Sequence, residues 1–329
     1  MLIDIMNEQS RHAGVHLIVF NDVIDHELLD KVSKDIEIHL IGRRPGSRSP
    51  NPIVKLNRII RRNKFDAIHC HGEALIRVIL FGRKKTSLTI HDVGLSVREL
   101  KLFGKLFAIS QAVRQDVYER SGLSPQVVYN GINCERIKMR DYSLLSSDQD
   151  FRLVQVSRLQ HKKKGQHILL EALSVLSRSY GMNNVKVDFI GEGESFDYLS
   201  RMAHDMELSE RVRFLGLMER DEIYNRLSTY HALMQPSLYE GFGLSVLEGM
   251  AAMIPVVVSG QGPKEIIEGG RCGLYFSSGD ARDCAEKIRT LITQYDSASL
   301  REMVQRARSR VVQDFDIRVT ARKYCEGYL

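Results

Sequence analysis

Short apolar segments alternate along the chain with longer segments in which apolar residues recur every three or four positions. The first pattern is typical of strands buried on both faces, and the second is typical of helices that cover a sheet. Together they predict an α/β fold built from doubly wound parallel sheets. The predicted strands are 16–20, 36–40, 67–70, 87–90, 106–109, 127–129, 153–156, 185–190, 212–215, 232–234, 256–258 and 273–275.

The polar segment Asp141–Asp150, rich in Ser and Asp, predicts a linker between two Rossmann-like domains. We expect one domain over residues 1–140 and a second over residues 141–312, facing each other across a cleft. A final helix over residues 313–329 is expected to pack back towards the first domain. Ligands of doubly wound sheets bind at the carboxyl ends of the strands, so residues that follow a strand are the candidates for chemistry.

The densest chemical pattern follows the predicted strand 232–234 and runs from Pro236 to Glu248. Gly241 and Gly243 allow the backbone to approach a ligand closely, and a helix is predicted to begin next to them. The N–H groups and positive dipole end of that helix suit a diphosphate. Glu240 and Glu248 can accept hydrogen bonds from sugar or ribose hydroxyls. Either glutamate alone would suit an ordinary helix start, but the whole string favours a ligand site.

A second pattern follows the predicted strand 153–156, where a cationic loop opens the next helix. Arg158 and Lys164 are placed to neutralise phosphates, the first with a planar fork of donors and the second as a point charge. Lys162 and Lys163 are interpreted as solvated, which is the usual state of consecutive lysines.

In the first half, His71 and His91 each come directly after a predicted strand. A histidine at the end of a strand is often structural, so these two are weaker candidates than the carboxylates and cations. His69, Cys70 and His71 do not predict a metal site, because Cys70 points to the opposite face and no second cluster completes four ligands. No metal is expected.

Charge is unevenly distributed, with 23 Lys and Arg against 15 Asp and Glu in residues 1–140 and the reverse tendency in the remainder. This basic half predicts contact with something anionic, such as phosphates or the surface of a membrane, although a solvated basic surface is an equal alternative. A basic amphipathic helix over 53–62 allows the same two interpretations. Five cysteines without a C-x-x-C pair, and the lack of a signal-peptide pattern or a membrane-length apolar run, predict a cytoplasmic protein. The membrane interpretation of the basic half adds the expectation of peripheral binding to the inner face of the cell membrane.

At this point the chain resembles the retaining family-4 glycosyltransferases of GT-B fold. The resemblance rests on Glu240 and Glu248 with seven residues between them, on Ser157-Arg158-Leu with Lys164-Gly165, and on two glycine-bearing motifs. Those two motifs are Ile190-Gly-Glu-Gly193 and Tyr129-Asn130-Gly131-Ile132.

The resemblance implies a role for each matching residue. Arg158 and Lys164 would hold the donor diphosphate, and Glu240 would contact the transferred sugar opposite the cleft histidine, His91. His71 would serve the acceptor side. Residues 1–140 would form the N-terminal, acceptor-side domain, and residues 141–312 would form the C-terminal, nucleotide-sugar-binding domain. The donor-binding residues that it implies are Gly191, Gly216, Leu217, Gly241, Phe242, Gly243, Leu244 and Glu248, with Glu248 on the ribose and Gly216 and Leu217 by the base.

The implied reaction is transfer of a sugar from a UDP- or GDP-linked donor to a glycan or lipid-linked acceptor, with retention of anomeric configuration. The family needs no cofactor and no metal, and its members suggest a place in surface polysaccharide or lipopolysaccharide biosynthesis. Two alternatives stay open: a truncated, catalytically inactive sugar-nucleotide-binding protein and a GT-B-fold nucleotide-sugar epimerase. A nucleic-acid partner is not expected, because no nucleic-acid motif accompanies the basic residues.

The chain departs from the family in two places. The family's first domain opens with a central strand and a Gly-Gly turn, whereas this sequence begins within what resembles the first helix. The expectation is therefore a first domain that lacks its first strand, as in an N-terminally truncated version of a longer protein. The second departure is Met253, where the family usually has a small residue before Pro255.

Overall fold

The computed structural model describes residues 1–142 and 150–328. The predicted linker Asp141–Asp150 therefore lies largely outside the described residues. Contacts divide the chain into two compact units, the first formed by Met1–Gly131 with Asp316–Leu329 and the second by Ile132–Phe315. The domain boundaries at 140 and 312 stay a prediction, while these contacts place the divisions at 131/132 and 315/316.

Strands and helices alternate through both units. The strands are β1 (His16–Asn21), β2 (Glu37–Arg43), β3 (Ile68–Cys70), β4 (Thr86–Ile90), β5 (Lys105–Ala108), β6 (Gln126–Val127), β7 (Phe151–Val156), β8 (Val185–Ile190), β9 (Val212–Phe214), β10 (Ala232–Gln235), β11 (Val256–Val258) and β12 (Leu274–Tyr275). The helices are α1 (Leu2–Gln9), α2 (His26–Leu29), α3 (Asn51–Asn63), α4 (Gln111–Ser121), α5 (His161–Lys164), α6 (Gln166–Tyr180), α7 (Phe196–Asp205), α8 (Arg220–Arg226), α9 (Leu244–Ala251), α10 (Gln261–Ile266), α11 (Ala281–Thr293), α12 (Ala298–Asp314) and α13 (Ile317–Tyr328). Short 3-10 turns lie at Glu73–Arg77, Arg83–Lys85, Leu100–Leu102, Cys134–Arg136, Leu227–Thr229 and Glu268–Gly270. Every predicted strand has a counterpart, so the predicted α/β class is confirmed.

The second unit is built on one parallel sheet in the order β12-β11-β10-β7-β8-β9. The chain starts at the centre with β7, extends to one side through β8 and β9, and then returns to the other side of β7 with β10. Its core is apolar on both faces of this sheet, with Leu153, Val187 and Leu169 fully buried. Because the strand order reverses between β7 and β10, the loops after these two strands flank the crevice where such sheets bind ligands.

The first unit contains two separate parallel sheets, β1-β2 and β3-β4-β5-β6. In the strand order 3-2-1-4-5-6 of doubly wound folds, the first strand sits between the second and the fourth. The strands that correspond to those neighbours here are β1 and β3, and they belong to different sheets. Among the described residues, the division between the two sheets therefore falls between β1 and β3.

The C-terminal helix α13 packs within the first unit. Its residues Ile317 and Tyr324 share a buried cluster with Ile5 of α1 and Phe107 of β5. Tyr324 packs edge-on against Phe107, with ring centroids 5.1 Å apart. These contacts bind the last helix of the chain to its first helix.

Met253 has a left-handed backbone conformation, with φ of +57°. This conformation costs an L-residue about 1–2 kcal/mol because its Cβ approaches the following carbonyl oxygen. Glycine, which has no Cβ, is the residue that this backbone conformation favours. Within residues 1–142 and 150–328, no helix has both the length and the apolar character that crossing a membrane requires.

Candidate functional site

The loop after β7 carries Arg158 and Lys164 and is supported from beneath by two buried glutamines. Gln155 Nε2 donates to the carbonyl oxygen of Lys164 over 2.9 Å. Gln166 Nε2 donates to the carbonyl oxygen of Arg158 over 3.0 Å and to Ser157 Oγ over the same distance. These bonds fix the backbone on both sides of the cationic loop, so the two cations project from a rigid support.

Gly165 allows this loop to pass directly against the loop after β10. It lies between α5 and α6 in a left-handed conformation, with φ of +69°. A Cβ built on it would lie 1.8 Å from the carbonyl oxygen of Pro236, a distance that no side chain can accommodate. The glycine of the Lys164-Gly165 motif is therefore required by the close approach of two backbone segments.

Lys164 and Glu240, which are 76 residues apart in sequence, meet as a consequence. Lys164 Nζ lies 2.5 Å from Glu240 Oε2, and the two side chains are 19% and 13% exposed. Partial burial strengthens such a pair, since water screens it less. The structure therefore brings together the cation and the carboxylate that the sequence assigned to diphosphate and sugar.

Gln235 organises the carboxylate side of this pair. Its Nε2 donates to Glu240 Oε2 over 3.0 Å and to Ser237 Oγ over 2.8 Å. Its Oε1 accepts a hydrogen bond of 2.9 Å from Ser245 Oγ in the first turn of α9. One fully buried amide thus connects the end of β10, Glu240 and the start of α9. The sequence analysis missed Gln235, and its only signal was a polar residue that ends an apolar strand directly before the motif.

The turn before α9 is buried, and Gly243 precedes the helix without a hydrogen bond from a capping side chain. Gly241 and Phe242 are buried as well, and the Phe242 ring packs edge-on against Phe315 at 5.9 Å. Leu244 begins the helix as predicted. The N-terminal turn of α9 therefore follows Glu240 closely and is held in place by packing of its own.

Arg158 lies apart from the Lys164–Glu240 pair. Its side chain is 70% exposed, and its Nε lies 3.7 Å from Glu194 Oε2. Such an exposed ion pair is weak, because solvent screens it and two flexible side chains must be ordered to form it. The guanidinium is therefore readily available to an incoming anion.

Glu248 lies half-buried in the middle of α9. Burial raises the pKa of its carboxyl to about 7, against smaller opposing effects of Arg220 and of a hydrogen bond with Tyr224. Near neutral pH this group is consequently divided between its acid and its carboxylate form.

Two glycines that follow β8 and β9 are connected by a backbone hydrogen bond. Gly191 donates its N–H to the carbonyl oxygen of Gly216 over 2.8 Å. A Cβ on Gly191 would lie 2.2 Å from the carbonyl oxygen of Ser157, so the chain after β8 runs directly against the chain after β7. Leu217, which follows Gly216, is 75% exposed. An apolar side chain presented in this way offers a surface for a flat ligand group.

In the first unit, two of the predicted histidines are in contact. His71 follows β3 and His91 follows β4, and these strands are adjacent and parallel. His71 Nδ1 lies 3.0 Å from His91 Nε2, so one ring donates a hydrogen bond to the other. The register of the two strands explains this meeting, which sequence spacing alone did not predict.

His69 supports this pair from behind. Its ring centroid lies 4.5 Å from that of His71, and its nitrogens are hydrogen-bonded to Thr89 Oγ1 over 2.7 Å and to the Tyr328 hydroxyl over 2.6 Å. The sequence analysis gave His69 no role in the site. Its partner Tyr328 lies 259 positions away, and no local pattern could have indicated it.

The neutral form is favoured in all three imidazoles, because the pKa of each is lowered. Burial lowers the pKa of His69 well below its ordinary value, and His71 and His91 lower it further. The protein around the His71 ring disfavours its charged form and, with His91, lowers its pKa to about 4. Burial also lowers the pKa of His91. Neutral imidazoles have both a donor and an acceptor nitrogen, which suits contacts with hydroxyl groups.

Comparisons with known proteins place both halves of the chain in glycosyltransferase families. The model of the glycosyl transferases group 1 matches residues 140–310, and that of glycosyltransferase family 4 matches residues 2–136. Among characterised relatives, a glycogen synthase of Mycobacterium tuberculosis is 31% identical over 178 residues, which are 54% of this chain and 42% of that protein. The lipopolysaccharide core biosynthesis glycosyltransferase LpsE of Rhizobium meliloti is 28% identical over 191 residues, or 58% of this chain and 53% of that protein. The matched part thus spans about half the length of these two relatives.

A solved structure shows the same fold over almost the whole chain. HepE of Anabaena, in complex with UDP and glucose, is 22% identical with a TM-score of 0.80, and the match covers 99% of this chain and 94% of that chain. The fold is GT-B, as the resemblance predicts. Since the first family model covers more than half of the 329 residues, the chain belongs to the glycosyl transferases group 1.

Proposed function

We propose that this protein transfers a sugar from a nucleoside diphosphate donor to an acceptor hydroxyl, with the donor held by the second unit. The observation that carries the proposal is the Lys164–Glu240 pair, 2.5 Å apart beside the crevice between β7 and β10. The ammonium group of Lys164 suits a phosphate, and the carboxylate of Glu240 suits sugar hydroxyls. Because both lie at the carboxyl ends of the strands, they suit one ligand that carries both groups.

In this proposal Arg158, Lys164 and the start of α9 bind the diphosphate. The two side chains supply positive charge, and the helix supplies N–H groups with the positive end of its dipole. Glu240 accepts hydrogen bonds from the sugar, and Glu248 accepts them from the ribose. Gly191, Gly216 and Leu217 border the base, which the exposed Leu217 side chain contacts.

The proposed reaction retains the anomeric configuration. The acceptor oxygen forms a bond to the anomeric carbon on the face from which the diphosphate departs, and the acceptor proton passes to the leaving phosphate oxygen. Arg158, Lys164 and the start of α9 stabilise the charge that develops on the diphosphate. We assign this work to these protein groups and propose that the reaction requires no metal ion.

His91 and His71 are proposed to serve the sugar and the acceptor. The lowered pKa of both rings favours the neutral form, which supports contacts with hydroxyl groups because it has an acceptor nitrogen and an N–H. The buried His69 is a positioning residue in this proposal, because its own nitrogens are bonded to Thr89 and Tyr328.

UDP-linked or GDP-linked sugars are the proposed donors, and a glycan or lipid-linked sugar in surface polysaccharide biosynthesis is the proposed acceptor. HepE, solved with UDP and glucose, supports the first part, and LpsE supports the second. A surface of the first unit also supports contact with an anionic membrane. On it the exposed Arg61 lies 5.8 Å from the ring centroid of Phe81, beside the exposed apolar Leu80.

Calorimetric titration with UDP, GDP and ADP tests the donor assignment directly. We expect micromolar binding of one of them, followed by release of that nucleotide from its sugar conjugate when an octyl glycoside acceptor is added. Nuclear magnetic resonance of the new anomeric proton should show the configuration of the donor. Calorimetric titration of the protein with anionic and with neutral vesicles tests the membrane contact, and binding to the anionic vesicles alone is expected. Binding without turnover would favour a sugar-nucleotide-binding protein, and epimerisation of the donor would favour an epimerase. If the folded protein binds none of the three nucleotides, the proposed donor site is contradicted.

Affinity for the intact donor is expected to rise about tenfold between pH 6 and pH 8, because the carboxylate of Glu248 becomes populated across a pKa of about 7. The carboxylate accepts two hydrogen bonds from ribose, whereas the acid accepts fewer. A diphosphate diester has no proton to lose in this range, so the donor itself adds no slope. Glu248→Gln should bind more weakly at pH 8 and should lose the rise. A rise of equal size in Glu248→Gln would assign it to another group.

A further inference from the structure

Three side chains converge on the two-stranded sheet of the first unit. His16 is the first residue of β1, and Glu37 and His39 lie two positions apart on β2, so both face the same side of the sheet. Glu37 pairs with His16 in the parallel register, and His39 pairs with Ile18. The register therefore brings three potential metal ligands to one face at the amino ends of both strands.

The distances among their ligand atoms suit one small cation. His16 Nδ1 lies 3.0 Å from His39 Nε2, Glu37 Oε2 lies 3.3 Å from His16 Nδ1, and Glu37 Oε1 lies 3.5 Å from His39 Nε2. Metal–ligand bonds of about 2.0–2.1 Å at a tetrahedral centre place two ligand atoms about 3.3–3.4 Å apart. The three observed distances, which use both carboxylate oxygens of Glu37, lie on either side of this value, so small side-chain rotations are enough to coordinate an ion.

The surroundings favour coordination over a purely electrostatic cluster. The imidazoles are 22% and 14% exposed, and the edge of the Phe65 ring covers His16 with centroids 4.9 Å apart. Glu37 is 62% exposed, so the side of the cluster that it occupies is open to water. Two sheltered nitrogens, one carboxylate and access for a water molecule form the ligand set of a four-coordinate zinc site.

We propose that His16, Glu37 and His39 bind a divalent cation of the zinc class. Without the ion, the two imidazoles share one hydrogen bond through the same nitrogens that would bind it. Imidazole with carboxylate selects zinc and its neighbours in the first transition row over calcium and magnesium, which prefer oxygen ligands alone.

A cation bound here connects β1 to β2 and therefore stabilises this sheet. A sheet of two strands is marginally stable by itself, and β1 and β2 have only each other as hydrogen-bonded neighbours among the described residues. The ligands lie at the amino ends of the strands, opposite the carboxyl ends at which substrates of such sheets bind. The site is therefore independent of the proposed transfer reaction.

The experiment uses chelator-treated, tag-free protein titrated with Zn²⁺ by calorimetry and with Co²⁺ by absorption spectroscopy. We expect one site per chain, a visible Co²⁺ spectrum of a four- or five-coordinate centre without a sulfur charge-transfer band, and a rise in Tm of about 5 °C at a hundredfold excess of Zn²⁺ over its Kd. Glu37→Gln, which changes an exposed side chain and should fold normally, is expected to weaken Zn²⁺ at least tenfold. His16→Gln/His39→Gln should abolish the site.

His26→Gln is the matched control, because His26 is an exposed histidine of the same unit. It should leave both the affinity and the Tm shift unchanged. Equal Zn²⁺ affinity in wild type, Glu37→Gln and the double variant would overturn the proposal, as would a sulfur charge-transfer band that places the ion on cysteine. Failure of the wild-type protein to bind Zn²⁺ would overturn it as well.

Discussion

Replacing Arg158 and Lys164 together with alanine is expected to weaken nucleotide binding at least about 100-fold, since each charged hydrogen bond contributes about 1.5–3 kcal/mol. The effect on kcat/KM for the donor should be larger, about 10³–10⁴-fold, because the same cations stabilise charge that grows on the leaving diphosphate. Calorimetry with the nucleotide that binds the wild type and initial rates of nucleotide release measure the two effects.

Lys162→Ala is the control for this double variant. Lys162 is exposed in the same loop and is interpreted as solvated, so its removal should change affinity by less than about twofold, as for other exposed charges. Lys164→Met separates charge from packing, since methionine retains most of the aliphatic stem. If the double variant folds, as judged by circular dichroism, and binds nucleotide like the wild type, the donor site lies elsewhere.

Gly165→Ala is expected to lower the free energy of unfolding by about 2–5 kcal/mol, through a left-handed backbone that alanine disfavours and a severe overlap with a carbonyl oxygen. The added Cβ would lie 1.8 Å from Pro236 O, so the loops that carry Lys164 and Glu240 must separate. Donor turnover should therefore fall even under conditions in which the variant is fully folded. Urea denaturation and the donor assay measure these effects.

Gly181→Ala distinguishes the overlap from the backbone conformation. Gly181 has almost the same φ, +66°, but no atom lies within 4 Å of a Cβ built on it. Its replacement should cost only about 1–2 kcal/mol and should leave turnover unchanged. Equal losses of stability in the two variants would mean that the approach of the two loops contributes nothing.

The strands and the donor-side motifs could be predicted because each is a local feature of the sequence. An apolar run such as 185–190 indicates a buried strand by itself, and the strand found there has the same ends. The separation of β1 and β2 from the other strands of the first unit depends on strand pairing, which no local run of residues indicates. Site roles assigned to His91, Glu240 and their neighbours stay predictions.

The residues that support the site could not be predicted from the sequence. Gln155, Gln166 and Gln235 have no distinguishing spacing, and their importance arises from amides that reach backbone and side chains across the sheet. The His71–His91 contact likewise depends on the register of β3 and β4. The zinc-class site was missed for the same reason, since His16 and His39 are 23 residues apart and meet only through strand pairing.

The Lys164–Glu240 pair has a consequence for selectivity among anions in the cell. Before any donor arrives, the lysine already has a counter-ion that belongs to the same polypeptide and is present at a fixed, high effective concentration. Free phosphate or sulfate must compete with that tethered carboxylate and offers nothing to Glu240 in return. In the proposed binding mode, a nucleotide sugar brings hydroxyls for the carboxylate together with phosphates for the lysine, so it replaces the internal partner of both residues at once.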